Sequence, residues 1–237
     1  MTAAPPDARF ATTRWSVVLA ASRGPDGGAL ETLCRAYWYP LYAYVRRAGH
    51  PPHDAQDLTQ EFFARLLEKE WLEGARPERG RFRSFLITML KRFLINDWHE
   101  KTTLKRGGRI QHVPLDVEDA ERRFAAEPDL PADAVFERRW ALTLLEQTLA
   151  DLQAEFTSAG RAEDFQAMKH TLTMGREDIT HAQLAEKLGC AEGAARVAVH
   201  RLRKRYRELF REHIAATLSA GEDLDEEVRH VIAVLSR

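Results

Sequence analysis

The chain has 237 residues, 44% of them hydrophobic and 30% charged, enough apolar matter for one large or two small domains. Its 13 glycines and 10 prolines are too few and too scattered for a collagenous or low-complexity chain, and its two cysteines, Cys34 and Cys190, can build neither a disulfide framework nor a four-sulfur zinc site. A reduced compartment, a cytoplasmic location and no membrane partner are expected, because no long apolar run and no signal-peptide core are present. The net charge of −1 conceals a sorting of charge along the chain.

Helical spacing dominates, and strand signals are poor, so the fold class expected is all-α. Residues 12–21 read as a short helix ended by Gly24, Pro25, Gly27 and Gly28. Residues 29–48 read as an aromatic-rich helix with Pro40 as a kink or break. Pro52 suits the first turn of the next helix, which runs to about Lys69 with Leu58, Phe62, Phe63, Leu66 and Leu67 on a broad apolar face. The cleanest stripe is Phe82, Phe85, Leu86, Met89, Leu90, Phe93 and Leu94, on a helix over 81–101 that Gly107-Gly108 would end. Phe82, Phe85, Phe93 and Trp98 are assigned to the core. Residues 110–131 have no sustained period and hold Pro114, Pro128 and Pro131, so they read as a linker. Helices resume over 132–156 and 162–173.

The charge follows these boundaries. Residues 79–109 hold nine bases against two acids, 116–137 hold eight acids against two bases, and 196–211 hold seven bases against Glu208. Two basic blocks separated by an acidic spacer point to two polyanion-binding modules on one string. The spacer should partly mask the bases of both modules, with Asp116, Glu118, Asp119 and Glu121 as the masking acids.

The most specific local pattern lies at 179–210. Thr180-x-x-Gln183 is a capping box opening a helix with Leu184, Ala185 and Leu188 as its apolar positions. Gly189 stands where a tight turn needs positive φ. A second helix begins near Ala191, carries Val197, Val199 and Leu202, and is rich in bases. This is the spacing of a helix-turn-helix whose second helix enters the major groove.

Asp54-Ala-Gln-Asp-Leu-Thr-Gln-Glu-Phe-Phe, then Gly80-Arg-Phe-Arg-Ser-Phe-Leu, then the helix-turn-helix resemble a bacterial RNA polymerase sigma factor of the extracytoplasmic-function (ECF) subfamily. The resemblance implies two small helical domains joined by an acidic linker. The divisions are an N-terminal extension 1–28, a region-2-like domain 29–109, a linker 110–137, a region-4-like domain 138–214 and a C-terminal extension 215–237. It implies core RNA polymerase and promoter DNA as partners, and allows an anti-sigma protein or regulatory contact through the C-terminal extension. Asp57, Gln60, Glu61, Phe63 and Leu67 match the family's helix for the polymerase clamp. Arg83, Thr88, Lys91, Arg92, Ile95, Asn96, His99, Lys101, Lys105 and Arg106 match its −10 recognition and melting segment, where phosphates meet bases and an unstacked nucleobase meets an aromatic ring or pocket. Thr180, His181, Gln183, Arg196, His200, Arg201 and Lys204 match its −35 element contacts.

Two positions depart from the family pattern. Arg92 replaces a frequent Asn, and Ala191 replaces a Ser helix cap at a cost of about 1 kcal/mol. The linker, roughly 90 Å long if fully extended, would reach between two promoter elements. The terminal stripe Val228, Val231, Ile232 and Leu235 should pack on its own domain. No catalytic residue, cofactor or metal is expected: His50 and His53 are separated by two prolines with no Cys to complete a site, and no phosphate loop or nucleophile elbow occurs. An autonomous helix-turn-helix regulator is the alternative, and it leaves 54–101 without a role.

Overall fold

The computed structural model describes residues 27–67, 80–101, 117–173, 180–219 and 221–236, with the side chains of 27–32, 35, 67, 97–101 and 173 outside the described set. The helix expected over 12–21 and the Gly107-Gly108 stop lie outside it as well. Among the described residues every regular element is a helix: α1 (Gly27–Arg47), α2 (Pro52–Leu67), α3 (Phe82–Lys101), α4 (Val117–Ala125), α5 (Ala132–Ser158), α6 (Ala162–Met168), α7 (His170–Thr173), α8 (His181–Leu188), α9 (Glu192–Ala215) and α10 (Leu224–Leu235). The chain divides into two compact units, Met1–Thr143 with Ile214–Arg237, and Leu144–His213. The linker helix α4 and the C-terminal extension both fall in the first unit.

In the first unit, α1 continues through Pro40 instead of breaking there, and Pro52 opens α2, where a missing N–H costs nothing. The core takes Tyr37, Leu41 and Tyr42 from α1, Leu58, Phe62 and Leu66 from α2, and Phe82, Leu86, Leu90 and Phe93 from α3, all nearly inaccessible. Spacings of three and four residues put each set on one helix face. The Phe62 and Phe93 rings lie 5.8 Å apart, and Tyr37 meets Phe82 edge-on at 5.7 Å. Phe85 is half-buried and stacks on Phe82.

The linker is not the aperiodic tether expected. Residues 117–125 form α4, and α5 begins at Ala132. Nine residues are too few to show a period in the sequence window that reveals longer helices. Ala120 is buried, and Phe124 lies under the guanidiniums of Arg46 and Arg47 at 4.7 and 5.3 Å. Glu121 takes both arms of Arg46 at 2.7 and 3.0 Å and the hydroxyl of Tyr42 at 2.5 Å. Arg47 reaches Asp129, and Glu127 accepts from Tyr39 and pairs with Arg139.

The Arg46 hydrogen bonds hold the Glu121 carboxyl below the usual carboxylate range against the opposing effect of burial. A lowered folded-state pKa contributes stability that is present above the unfolded value and is lost as pH falls through the folded one. Acidification below about pH 4 should therefore destabilise the wild type more steeply than Glu121→Gln, which should be less stable at neutral pH. Parallel pH profiles in denaturant titrations would refute this.

The C-terminal extension packs on the same unit. Val231 and Val234 of α10 are buried, while Ile232 is 53% exposed. Asp223 caps α10 by accepting from the N–H groups of Asp225 and Glu226. Glu227 is fully buried, with Oε1 2.6 Å from Arg83 Nη2 and Oε2 2.7 Å from Arg81 Nη2. These approaches lie off the hydrogen-bond axis, so the attraction is mainly charge–charge. Glu222 pairs with Arg81 at 3.0 Å, and Glu137 of α5 pairs with Arg83 at 3.1 Å.

In the second unit, Leu152, Phe165, Met168, Leu184, Ala195, Val199, Leu202 and Leu209 form one core. The Thr180 hydroxyl accepts from the Gln183 N–H, and the Gln183 side chain accepts from the Thr180 N–H, so the capping box is complete. Gly189 ends α8 at φ +60°, the left-handed conformation expected of it. α9 starts without a side-chain cap at Ala191, whose carbonyl accepts from Ala194 and Ala195.

Candidate nucleic-acid interface

Three helix faces carry the candidate residues. On α2, Asp54 and Asp57 are exposed and Glu61 is partly so, forming an acidic stripe at helical spacing. Asp57 lies 3.3 Å from His53, and Glu61 lies 2.7 Å from Arg65. Two expected members of this face turn inward: Gln60 is 8% exposed and Phe63 5%. Helical phase accounts for Phe63, which at about 100° per residue falls about 60° from Leu66, whereas Gln60 lies about 160° from Phe62 and is buried on another flank of α2. The side chain of Leu67 lies outside the described residues.

On α3, Ser84, Thr88, Arg92, Ile95 and Asn96 share one exposed stripe opposite the buried Phe82, Leu86, Leu90 and Phe93. Ile95 is 60% exposed, an apolar residue among polar and basic neighbours. Ser84 is the member that sequence reasoning left out. Lys91 borders the stripe and donates to Asp133 at 2.7 Å, which raises its pKa. Arg83 contradicts its assignment as a DNA contact. It is 3% exposed, paired with Glu137 and Glu227, and lies 4.0 Å above the Trp140 ring. A guanidinium with two carboxylates and an aromatic face around it is built into the fold. The side chains of His99, Lys101 and Trp98 are outside the described set, as are Lys105 and Arg106.

These pairings also correct the masking scheme. Asp119 pairs with Arg122 and Arg123 of its own helix, Glu121 pairs with Arg46, Glu118 is exposed, and Asp116 lies outside the described residues. Among the described residues, the spacer acids that reach the basic block of α3 are instead Asp133 and Glu137, beside Glu227 of α10 on Arg83.

In the helix-turn-helix, His181, Arg196, His200, Arg201 and Lys204 are all exposed. Thr180 and Gln183 are exposed too, but their side chains are engaged with each other in the cap. Arg196 lies 3.2 Å from Glu192, and Lys204 lies 3.8 Å from Glu208, exposed pairs that bind weakly and exchange readily for phosphate. Two other bases of the block serve the fold. Arg203 donates twice to the Thr171 carbonyl, at 2.8 and 3.1 Å, and Arg205 grips Glu155 at 2.6 Å. Val197 is 48% exposed, contrary to its placement with the apolar positions Val199 and Leu202. With Gly193 it lines a groove of about 520 Å³ whose walls include Phe156, Met168, Ala194, Ala198 and Leu202. Among the described residues no cluster of three or more His, Cys, Asp or Glu side chains could hold a metal, and no helix is long and apolar enough to cross a membrane.

Residues 33–103, which span α1 to α3, match the protein family described as Sigma-70 region 2. The chain is also 26% identical over 191 residues to the ECF RNA polymerase sigma factor SigE of Mycolicibacterium smegmatis (strain ATCC 700084 / mc(2)155). That alignment covers 81% of this chain and 65% of the relative, so the chain spans about two thirds of the relative's length. No solved structure matches. The region-2 match is a likeness to sigma-70 factors in general, and the likeness to the ECF subfamily is carried by the SigE alignment.

Proposed function

We propose that this chain, a relative of the ECF sigma factors, binds core RNA polymerase and directs it to promoters. The observation that carries this reading is the region-2 match over 33–103, because that segment presents an acidic stripe on α2 and a polar, basic stripe on α3 around one core. The acidic stripe suits a basic helix of the polymerase clamp. The α3 stripe Ser84, Thr88, Arg92, Ile95 and Asn96, bordered by Lys91, suits separated strands at the −10 element, with charge for phosphates and Ile95 for an unstacked base. The helix-turn-helix of α8 and α9 supports readout of the −35 element in duplex form. The chain acts by binding and positioning, without chemistry of its own. The C-terminal extension serves intramolecular packing first, since Glu227 and Val231 are buried within its own unit. An anti-sigma protein that used this extension would meet what α10 leaves outside, around Ile232.

Co-purification with core polymerase and promoter-specific run-off transcription test the reading together. Charge reversal at Asp57 and Glu61 should weaken core binding on the order of tenfold or more and leave the circular dichroism unchanged, because neither residue is buried. Undiminished core binding by the double variant would remove the clamp assignment. Tight promoter binding by the wild type without polymerase would favour the autonomous regulator instead.

A further inference from the structure

The exposed side of α9 changes character along its length. With about 100° per residue, Gly193, Val197, His200 and Lys204 share the crest opposite the buried Ala195, Val199, Leu202 and Leu209. Arg196 and Arg201 flank that crest on its two sides. The first two turns of the crest are therefore bare or apolar, and the following turns are basic.

Neither residue of the bare half is explained by the fold. A side chain added at Gly193 would meet nothing within 4 Å, so no packing within the unit requires glycine there, although glycine is a poor helix former. Val197 is 48% exposed, with Gly193 and Ala194 one turn before it at the rim of the groove and Arg196, His200 and Arg201 around it. A recognition helix presents its N-terminal turns to base edges. In the major groove every base edge is a pattern of donors and acceptors, except that thymine adds a methyl group. A valine with a glycine one turn before it brings an apolar side chain, and a helix backbone with no side chain in the way, to that edge.

We propose that Val197 is a specificity-determining residue that contacts the C5 methyl of a thymine in the upstream promoter element, with Gly193 giving the clearance for that approach. The inference rests on the DNA-reading role of α8 and α9. Arg196, beside it, is placed for a guanine or phosphate on one wall of the groove, and the later residue Lys204 meets phosphate.

Deoxyuridine differs from thymidine only by that methyl and provides the test. The full chain, bound to the core polymerase of its host, is first used to select a duplex from a random-sequence library. Each thymine of the selected duplex is then replaced in turn by deoxyuridine, and affinity is measured for the wild type and for Val197→Ala. At one upstream position the wild type should lose about fourfold, the value of one buried methyl group. Val197→Ala should bind the two duplexes alike there. Deoxyuridine elsewhere should affect both proteins equally, and the variant's thermal stability should match the wild type. A full thymidine–deoxyuridine difference retained by Val197→Ala at every position overturns the inference and leaves Val197 to a protein partner at the neighbouring groove. Failure of the complex to enrich any sequence overturns the DNA-reading function and this inference with it.

Discussion

Glu227→Ala should cost the first unit about 3–5 kcal/mol, the usual penalty for leaving a buried charge without its partner. Glu227 is fully buried, Arg83 is 3% exposed, and the carboxylate faces two guanidiniums at 2.6 and 2.7 Å. Removing it leaves Arg83 with Glu137 alone and takes from Arg81 its buried partner. Glu222→Ala should cost about 1 kcal/mol or less, because both Glu222 and Arg81 are partly in water. Replacing Arg83 and Glu227 together by methionine should cost much less than the two single losses combined. Tryptophan fluorescence during denaturant unfolding measures this selectively, since none of the five tryptophans falls within residues 144–213, and Trp140 lies against Arg83. A loss below about 1 kcal/mol for Glu227→Ala would show that the C-terminal helix is only loosely held. A substantial loss would mean that the extension is structurally part of the domain carrying the region-2 match, because it neutralises two arginines at the start of α3.

Substituting alanine at Arg201, Lys204 and Arg207 together should flatten the salt dependence of DNA binding. If each meets a phosphate, the slope of log affinity against log salt becomes shallower by about 2.7, at about 0.9 per contact. All three are exposed on α9, so the second unit should keep its stability. Arg203→Ala and Arg205→Ala should behave in the opposite way. They lose the Thr171 carbonyl and Glu155 contacts and should lower unit stability while leaving the slope nearly unchanged. Fluorescence anisotropy of a labelled duplex across a salt series, paired with thermal melts, separates the two groups. An unchanged slope in the triple variant would show that this end of α9 does not lie on the phosphate backbone.

What the sequence determined by itself is whatever depends on near neighbours along the chain. The stripe Phe82, Leu86, Leu90 and Phe93 is readable because helical phase repeats every three to four residues, and the structure buries all four. The Thr180–Gln183 box and the left-handed Gly189 are readable because a cap is complete within a few residues. The motif order at 54–63 and 80–86 carried the resemblance that the region-2 match supports. Tertiary structure alone decided the partner of each charge. Arg46 meets Glu121 75 residues away, Arg83 meets Glu137 54 residues away, and Arg81 meets Glu222 across 141 residues. No local pattern tells a base that faces DNA from one neutralised inside the fold, so Arg83 reads like Arg92 in sequence and differs from it completely in burial. Gln60 and Val197 make the same point from opposite sides. Composition marks one as polar and the other as apolar, yet the packing around each helix buries the glutamine and leaves the valine half in water at the rim of a groove.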